Sequence, residues 1–225
     1  MKKTTFSVVS LSRRAVLRSL LATPIFGCVP FAFAALADEP SKPSRPTKSR
    51  DLVVYYSYSR QTERVAKRLA KTLGADLYAV ETLEPYPSEP KATAERAKEE
   101  RRLDRLPKIA DKRPNLSVYD RVFIGGPTWS GVVSAPLVRY LRETDFRGKT
   151  VVSFWTAENS DGVQYRRDFV KQLAAPERKP ALLVDENFGF NAVKEATDAE
   201  LDAKIAEFLP KLSTVPASPP KIFAP

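Results

Sequence analysis

From Leu52 to Tyr56 the chain is continuously apolar, which predicts a short strand buried on both faces of a sheet. The next stretch changes period: Val65, Leu69 and Leu73, with Ala66 and Ala70, fall on one side of a helix over 62–73, and Gly74 supplies its stop. Ala75–Val80 predicts a second strand, EPYPSEP a proline-rich turn, and 91–105 a highly charged, solvated helix. Val122–Gly125 predicts a third strand, followed by a helix capped by Ser134, with Pro136 in its first turn and Leu137, Tyr140 and Leu141 along it. Thr150–Trp155 predicts a fourth strand, 164–173 a helix, and Ala181–Val184 the start of a fifth strand. Thr197 and Glu200 form a capping box that opens a last helix, with Leu201, Ile205 and Phe208 on one face. Strands alternating with helices imply an α/β fold with a parallel sheet covered on both sides. One topology compatible with short right-handed crossovers is the doubly wound order 2-1-3-4-5, whose ligand sits at the carboxyl ends of the strands.

Three strand-to-helix junctions near that position look chemically specialised. The first is Ser57-Tyr58-Ser59-Arg60-Gln61-Thr62, whose hydroxyls and helix-start amides suit a phosphate dianion or an ordinary N-capping turn. Arg60 stands where a glycine would let the backbone curl around phosphate, and its side chain either pairs with the anion or points to solvent. The second junction, Gly125-Gly126-Pro127-Thr128-Trp129-Ser130-Gly131, is read as a loop. There Trp129 offers a face to a planar heterocycle or plugs the sheet end. The third, Thr156-Ala157-Glu158-Asn159-Ser160-Asp161-Gly162, offers acceptors and amides to a ring edge; alternatively Ser160 or Asp161 caps the next helix.

Composition narrows the chemistry. The 225 residues include no histidine, and the single cysteine is Cys28, in a segment predicted to be removed. The mature chain therefore has no Cys/His metal site, no Ser-His-Asp triad and no thiol nucleophile. Lys2 and Lys3, then Ser12-Arg13-Arg14-Ala15-Val16-Leu17-Arg18, precede a charge-free apolar run ending in Ala35-Leu36-Ala37. The pattern resembles a bacterial twin-arginine export signal over 1–37, cleaved after Ala37, and implies a periplasmic protein. An uncleaved membrane anchor and a lipoprotein modified at Cys28 are the alternatives. Residues 38–50 read as a flexible linker, 51–213 as the domain, and 214–225 as a disordered, proline-rich tail. Removing Lys2, Lys3, Arg13, Arg14 and Arg18 from the 37 basic residues leaves 32 against 27 acidic ones, a net charge of +5 in place of +10. This excess is dispersed, without the basic-aromatic alternation of a nucleic-acid surface, so no nucleic-acid partner is expected.

The segments YYSYSRQTERVAKRLAKTLGADLYAVETLEPYP, SVYDRVFIGGPTWSGVVSAPL and FRGKTVVSFWTAENSDG together resemble a flavodoxin, of the flavodoxin-like branch found in many bacterial proteins. The resemblance spans nearly all of 51–210 and implies a three-layer flavodoxin-like sandwich that binds FMN. It places the phosphate on Ser57, Ser59, Arg60, Gln61 and Thr62, and the isoalloxazine between Thr128, Trp129, Ser130 and Gly131 on one side and the 156–162 loop on the other. Tyr58 and Pro127 belong to the same loops. Two positions depart from the family pattern: Ser59-Arg60-Gln61-Thr62 replaces a Thr/Ser-Gly-Asn-Thr core, and Ser130 stands where relatives often carry a second tryptophan. The implied role is electron transfer with a redox partner protein or a small quinone-like acceptor, without a catalytic side chain. Two alternatives stay open: an FMN-dependent NAD(P)H or quinone oxidoreductase, with proton delivery by Tyr58, Tyr165, an acid or water, and a flavin-free binding module.

Overall fold

Strand β1 (Asp51–Tyr55) is buried along its whole length, and its side chains alternate between two separate cores. Leu52 and Val54 enter one core, Val53 and Tyr55 the other, as the period of two requires. The structure is a computed structural model that describes residues 50–184 and 186–213. The predicted export signal, nearly all of the linker, and the 214–225 tail lie outside the described residues.

Around β1 the elements follow in sequence: α1 (Gln61–Leu73), β2 (Asp76–Ala79), α2 (Pro90–Arg102), β3 (Arg121–Trp129), β4 (Val132–Val133), α3 (Ala135–Glu143), β5 (Thr150–Ala157), α4 (Val163–Gln172), β6 (Leu182–Val184), β7 (Gly189–Asn191) and α5 (Asp198–Phe208). The main sheet runs β2-β1-β3-β5-β6, all parallel. Counting its five members in chain order gives 2-1-3-4-5, the doubly wound arrangement that the sequence predicts. The fifth position is divided, since β6 pairs with the first half of β5 and β7 with the second.

Two helical layers cover the sheet. On one face α1 buries Val65, Ala66 and Leu69 beside Leu201, Ile205 and Phe208 of α5. On the other, Ala97 of α2, Leu137 and Leu141 of α3, and Tyr165 and Phe169 of α4 share a core with Val122 and Ile124. Each fully buried large aliphatic or aromatic side chain contributes about 1.5–3 kcal/mol. Local signals set the helix ends: Gly74 caps α1 in the left-handed conformation at φ 63°, and Thr197 with Glu200 completes the capping box of α5.

Candidate functional site

Parallel pairing sets the carboxyl ends of β1, β3 and β5 side by side, with Tyr55 opposite Gly125 and Gly125 opposite Phe154. The three predicted segments thus emerge from adjacent strands along one sheet edge.

The first segment reaches α1 through Arg60, which adopts φ 65° and ψ 0° at the N-cap. A left-handed conformation costs a non-glycine residue about 1–2 kcal/mol, so the loop follows a glycine-like path against the preference of its residue. The guanidinium is exposed, and its Nε donates to Glu63 Oε2 at 3.3 Å. Lys67 donates to the same carboxylate, and these hydrogen bonds hold the Glu63 carboxyl below its ordinary range. The Arg60 side chain is therefore directed along its own helix, and it is the backbone that performs the turn. The N-cap side chain makes no capping hydrogen bond, and the first amides of α1 have no carbonyl partner within the helix.

Ser57 Oγ is buried and has no hydrogen-bond partner among the described residues. Such a group costs about 1–3 kcal/mol unless something completes it. Ser59 is exposed, and Gln61 is half-buried at the first position of α1. Tyr58 donates its hydroxyl to Pro87 O at 2.8 Å. Thr62 is buried, and its Oγ1 lies 2.7 Å from Thr156 Oγ1. That pair joins the first segment to the third, which leaves Ser57 and Ser59 as the hydroxyls open to a ligand.

The second segment is not the loop that its Gly-Gly-Pro sequence suggests. Strand β3 continues through Pro127 opposite Thr156, then folds back into β4 with Thr128 opposite Val133 and Trp129 opposite Val132. The turn residues Ser130 and Gly131 have φ 52° and 81°, the two positive values that a tight two-residue hairpin needs. The Trp129 ring is flanked edge-on by Tyr56, Tyr58 and Tyr86, with centroids 5.6, 6.3 and 4.9 Å away. Both sequence readings of Trp129 meet here, because the tyrosines anchor it while it also lines a cavity.

In the third segment, Ser160 exchanges two hydrogen bonds with Asn191, its N–H donating to Oδ1 at 3.0 Å and its carbonyl accepting from Nδ2 at 2.8 Å. Ser160 Oγ accepts from Gly162 N–H, and Asp161 Oδ1 accepts from Val163 N–H, so both side chains cap the start of α4. Gly162 has φ 73°, and a Cβ there would meet the Trp155 indole at 2.4 Å. Glu158 and Asn159 are exposed, and Ala157 is half-buried beside them.

Two cavities open beside this cluster. One, of about 710 Å³, lies between the first segment and the chain that follows β2, lined by Tyr56, Ser57, Ser59, Glu81 and Tyr86. The other, of about 360 Å³, lies between α2 and the β3–β4 hairpin. Burial pushes the Tyr56 and Tyr86 hydroxyls well above the usual phenol range, and Tyr86 also donates to the Glu100 carboxylate. Both are fixed neutral walls at physiological pH. Tyr165 is fully buried, which removes it as a proton donor to any bound molecule.

Sequence reasoning missed several residues. Tyr56 looked like the end of a buried strand, and Tyr86 was hidden in EPYPSEP, where an aromatic among prolines could have marked a folded-back wall. Asn191 and Trp155, which hold the third segment, carry no local signal. Among the described residues no acidic, cysteine or histidine cluster could hold a metal ion, and no helix is long and apolar enough to cross a membrane.

The comparisons agree with this architecture. No curated protein matches the chain. Among solved structures, a protein from Bacteroides eggerthii described as a flavoprotein is 26% identical, with a TM-score of 0.59 over 74% of this chain and 99% of its own. A similarly described protein from Bacteroides uniformis is 23% identical, with a TM-score of 0.57 over 70% and 98%. A flavoprotein from Lactobacillus acidophilus, solved in complex with FMN, is 22% identical, with a TM-score of 0.55 over 69% and 97%. The family model described as Flavodoxin matches residues 50–199, which is two thirds of the chain and takes in all three site segments; the protein belongs to the flavodoxin family.

Proposed function

We propose that this chain is an exported flavoprotein that binds FMN at the carboxyl edge of β1, β3 and β5 and passes electrons between redox partners. Family membership and the FMN complex of the Lactobacillus relative support the cofactor. The single observation in this chain that carries the reading is Ser57 Oγ, a buried hydroxyl without a partner among the described residues, beside an uncapped helix start and an open cavity. A phosphate end suits that position, because it accepts from the hydroxyl and from helix-start amides and gains from the positive end of the helix.

Ser57, Ser59 and the amides of Arg60, Gln61 and Thr62 would hold the phosphate. The Thr128–Gly131 hairpin and the 156–162 segment would flank the ring. Bound FMN supplies the electron-carrying chemistry that a chain without histidine or a mature-domain cysteine cannot. The protein's own part is to orient the ring, shield it and hold its charge environment. Glu158 and Asp161 place negative charge beside the ring edge, which favours a lowered potential. Export rests on the pattern at 2–37, and the partner is a redox protein or a small quinone-like acceptor.

The test is Ser57→Ala, which removes the hydroxyl without adding volume to the buried site. FMN affinity should fall by about 1–3 kcal/mol in a titration, while folding stability holds or rises because an unpaired polar group is gone. Affinity equal to wild type would remove Ser57 from the cradle.

A further inference from the structure

The smaller cavity holds none of the residues from Arg60 to Thr62 and none of the 156–162 segment. It is walled by Ala94 and Ala97 of α2 on one side and by Trp129, Val132 and Val133 of the hairpin on the other, with Tyr58 at its edge. Among the described residues its two charged ones are Lys98 and Arg101, and no acidic one lines it. Arg101 is committed, donating to Asp168 Oδ2 at 2.8 Å and to Val133 O at 3.4 Å. Lys98 has no ion pair among the described residues. Thr93 Oγ1 and Tyr58 OH both direct their protons to Pro87 O, at 2.6 and 2.8 Å.

A volume of about 360 Å³ falls in the range of small-molecule sites. The flat indole of Trp129 facing an alanine-lined helix suits a planar ring system better than a flexible chain. One free ammonium with no competing carboxylate selects an anion. We propose that this cavity binds a small planar aromatic anion, with its rings between Trp129 and Ala94–Ala97 and its acidic group on Lys98. The site shares Thr128, Trp129 and Ser130 of the hairpin with the expected flavin position but none of residues 60–62 or 156–162, and it does not depend on flavin being bound.

The probe is anthraquinone-2-sulfonate, titrated into the full-length FMN-free protein while tryptophan fluorescence is followed. Trp129 lines the cavity and Trp155 is buried away from it, so occupancy reads out as saturable quenching of part of the emission. Lys98→Glu should weaken binding at least tenfold. Ala94→Phe, at an exposed position that fills the cavity, should abolish it while FMN titrates as in wild type. Four results would overturn the proposal: absence of saturable quenching, quenching that survives Ala94→Phe, affinity unchanged in Lys98→Glu, or displacement of the probe by FMN in simple competition. The last would mean that the probe occupies the flavin position, and a protein that takes the probe but not FMN would count against the flavin reading alone.

Discussion

Arg60 shows how a residue can meet a backbone requirement for which its side chain is unsuited. Its φ of 65° is the conformation for which glycine is the usual choice, yet the chain accepts the strain. Arg60→Gly should therefore be neutral to stabilising by about 1 kcal/mol in urea melts, relief of strain outweighing the added freedom of the unfolded chain. A loss of more than 1 kcal/mol would mean that the Glu63 contact matters more than the backbone. Trp129 is the other residue whose role is separable, since it lines a cavity and is only half-buried. Trp129→Ala should weaken FMN binding by about 1–3 kcal/mol, and wild-type affinity would leave Trp129 as a plug over the sheet end. The residue types at this edge were legible from sequence, because small hydroxyls before a helix and a tryptophan between glycines are distinctive patterns. Their partners were not, since Thr62 meets Thr156 and Ser160 meets Asn191 across long stretches of chain.

Among elements, the β3–β4 hairpin is held in place by Asp168 of α4. One oxygen of its carboxylate accepts from Val133 N–H at 3.1 Å and from Arg101 of α2, and the other accepts from Gln172 Nε2 at 2.8 Å. Asp168→Ala should cost about 2–4 kcal/mol, because Arg101 and the Val133 amide lose their shared acceptor, while Asp168→Asn should cost less. The near-ultraviolet dichroism of Trp129 should change in step if Asp168 positions the hairpin. Two variants with the melting midpoint and near-ultraviolet dichroism of wild type would show that the hairpin stands on its own turn. Element type was largely readable from period and caps, as α1 and α5 illustrate. The extension of β3 beyond Gly125, through Gly126 and Pro127 to Trp129, was not, because glycine and proline disfavour strands locally and only pairing with β5 and β4 overrides them. The first piece of the divided fifth strand, β6, was read at Ala181–Val184, whereas β7 escaped because three residues on their own leave too little pattern to read.

For the whole molecule, the doubly wound order followed from alternating strand and helix periods together with the handedness and brevity of the connections. One of its two cores, the one that holds Tyr56, Tyr86, Tyr140 and Tyr165, also sets the response to alkali. Burial raises the pKa of Tyr56, Tyr86, Tyr140 and Tyr165 in the folded state, whereas in the unfolded chain they ionise near the usual value of about 10. Above that pH the unfolded chain binds fewer protons than the folded one, so stability present below about pH 10 declines as pH rises further. The urea midpoint should hold between about pH 7 and 9 and then fall, with tyrosinate absorbance from these residues appearing only as the fold is lost; early ionisation in an intact fold would contradict the burial. Cofactor identity belongs to this scale as well, because it depends on three segments meeting at one edge. The most direct test is the visible absorption spectrum of the purified protein, before and after denaturation and with FMN added back to the colourless form. Oxidised-flavin bands that perturb on binding, with FMN released on unfolding, are the predicted result; a colourless protein that leaves the spectrum of added FMN unchanged would contradict the account.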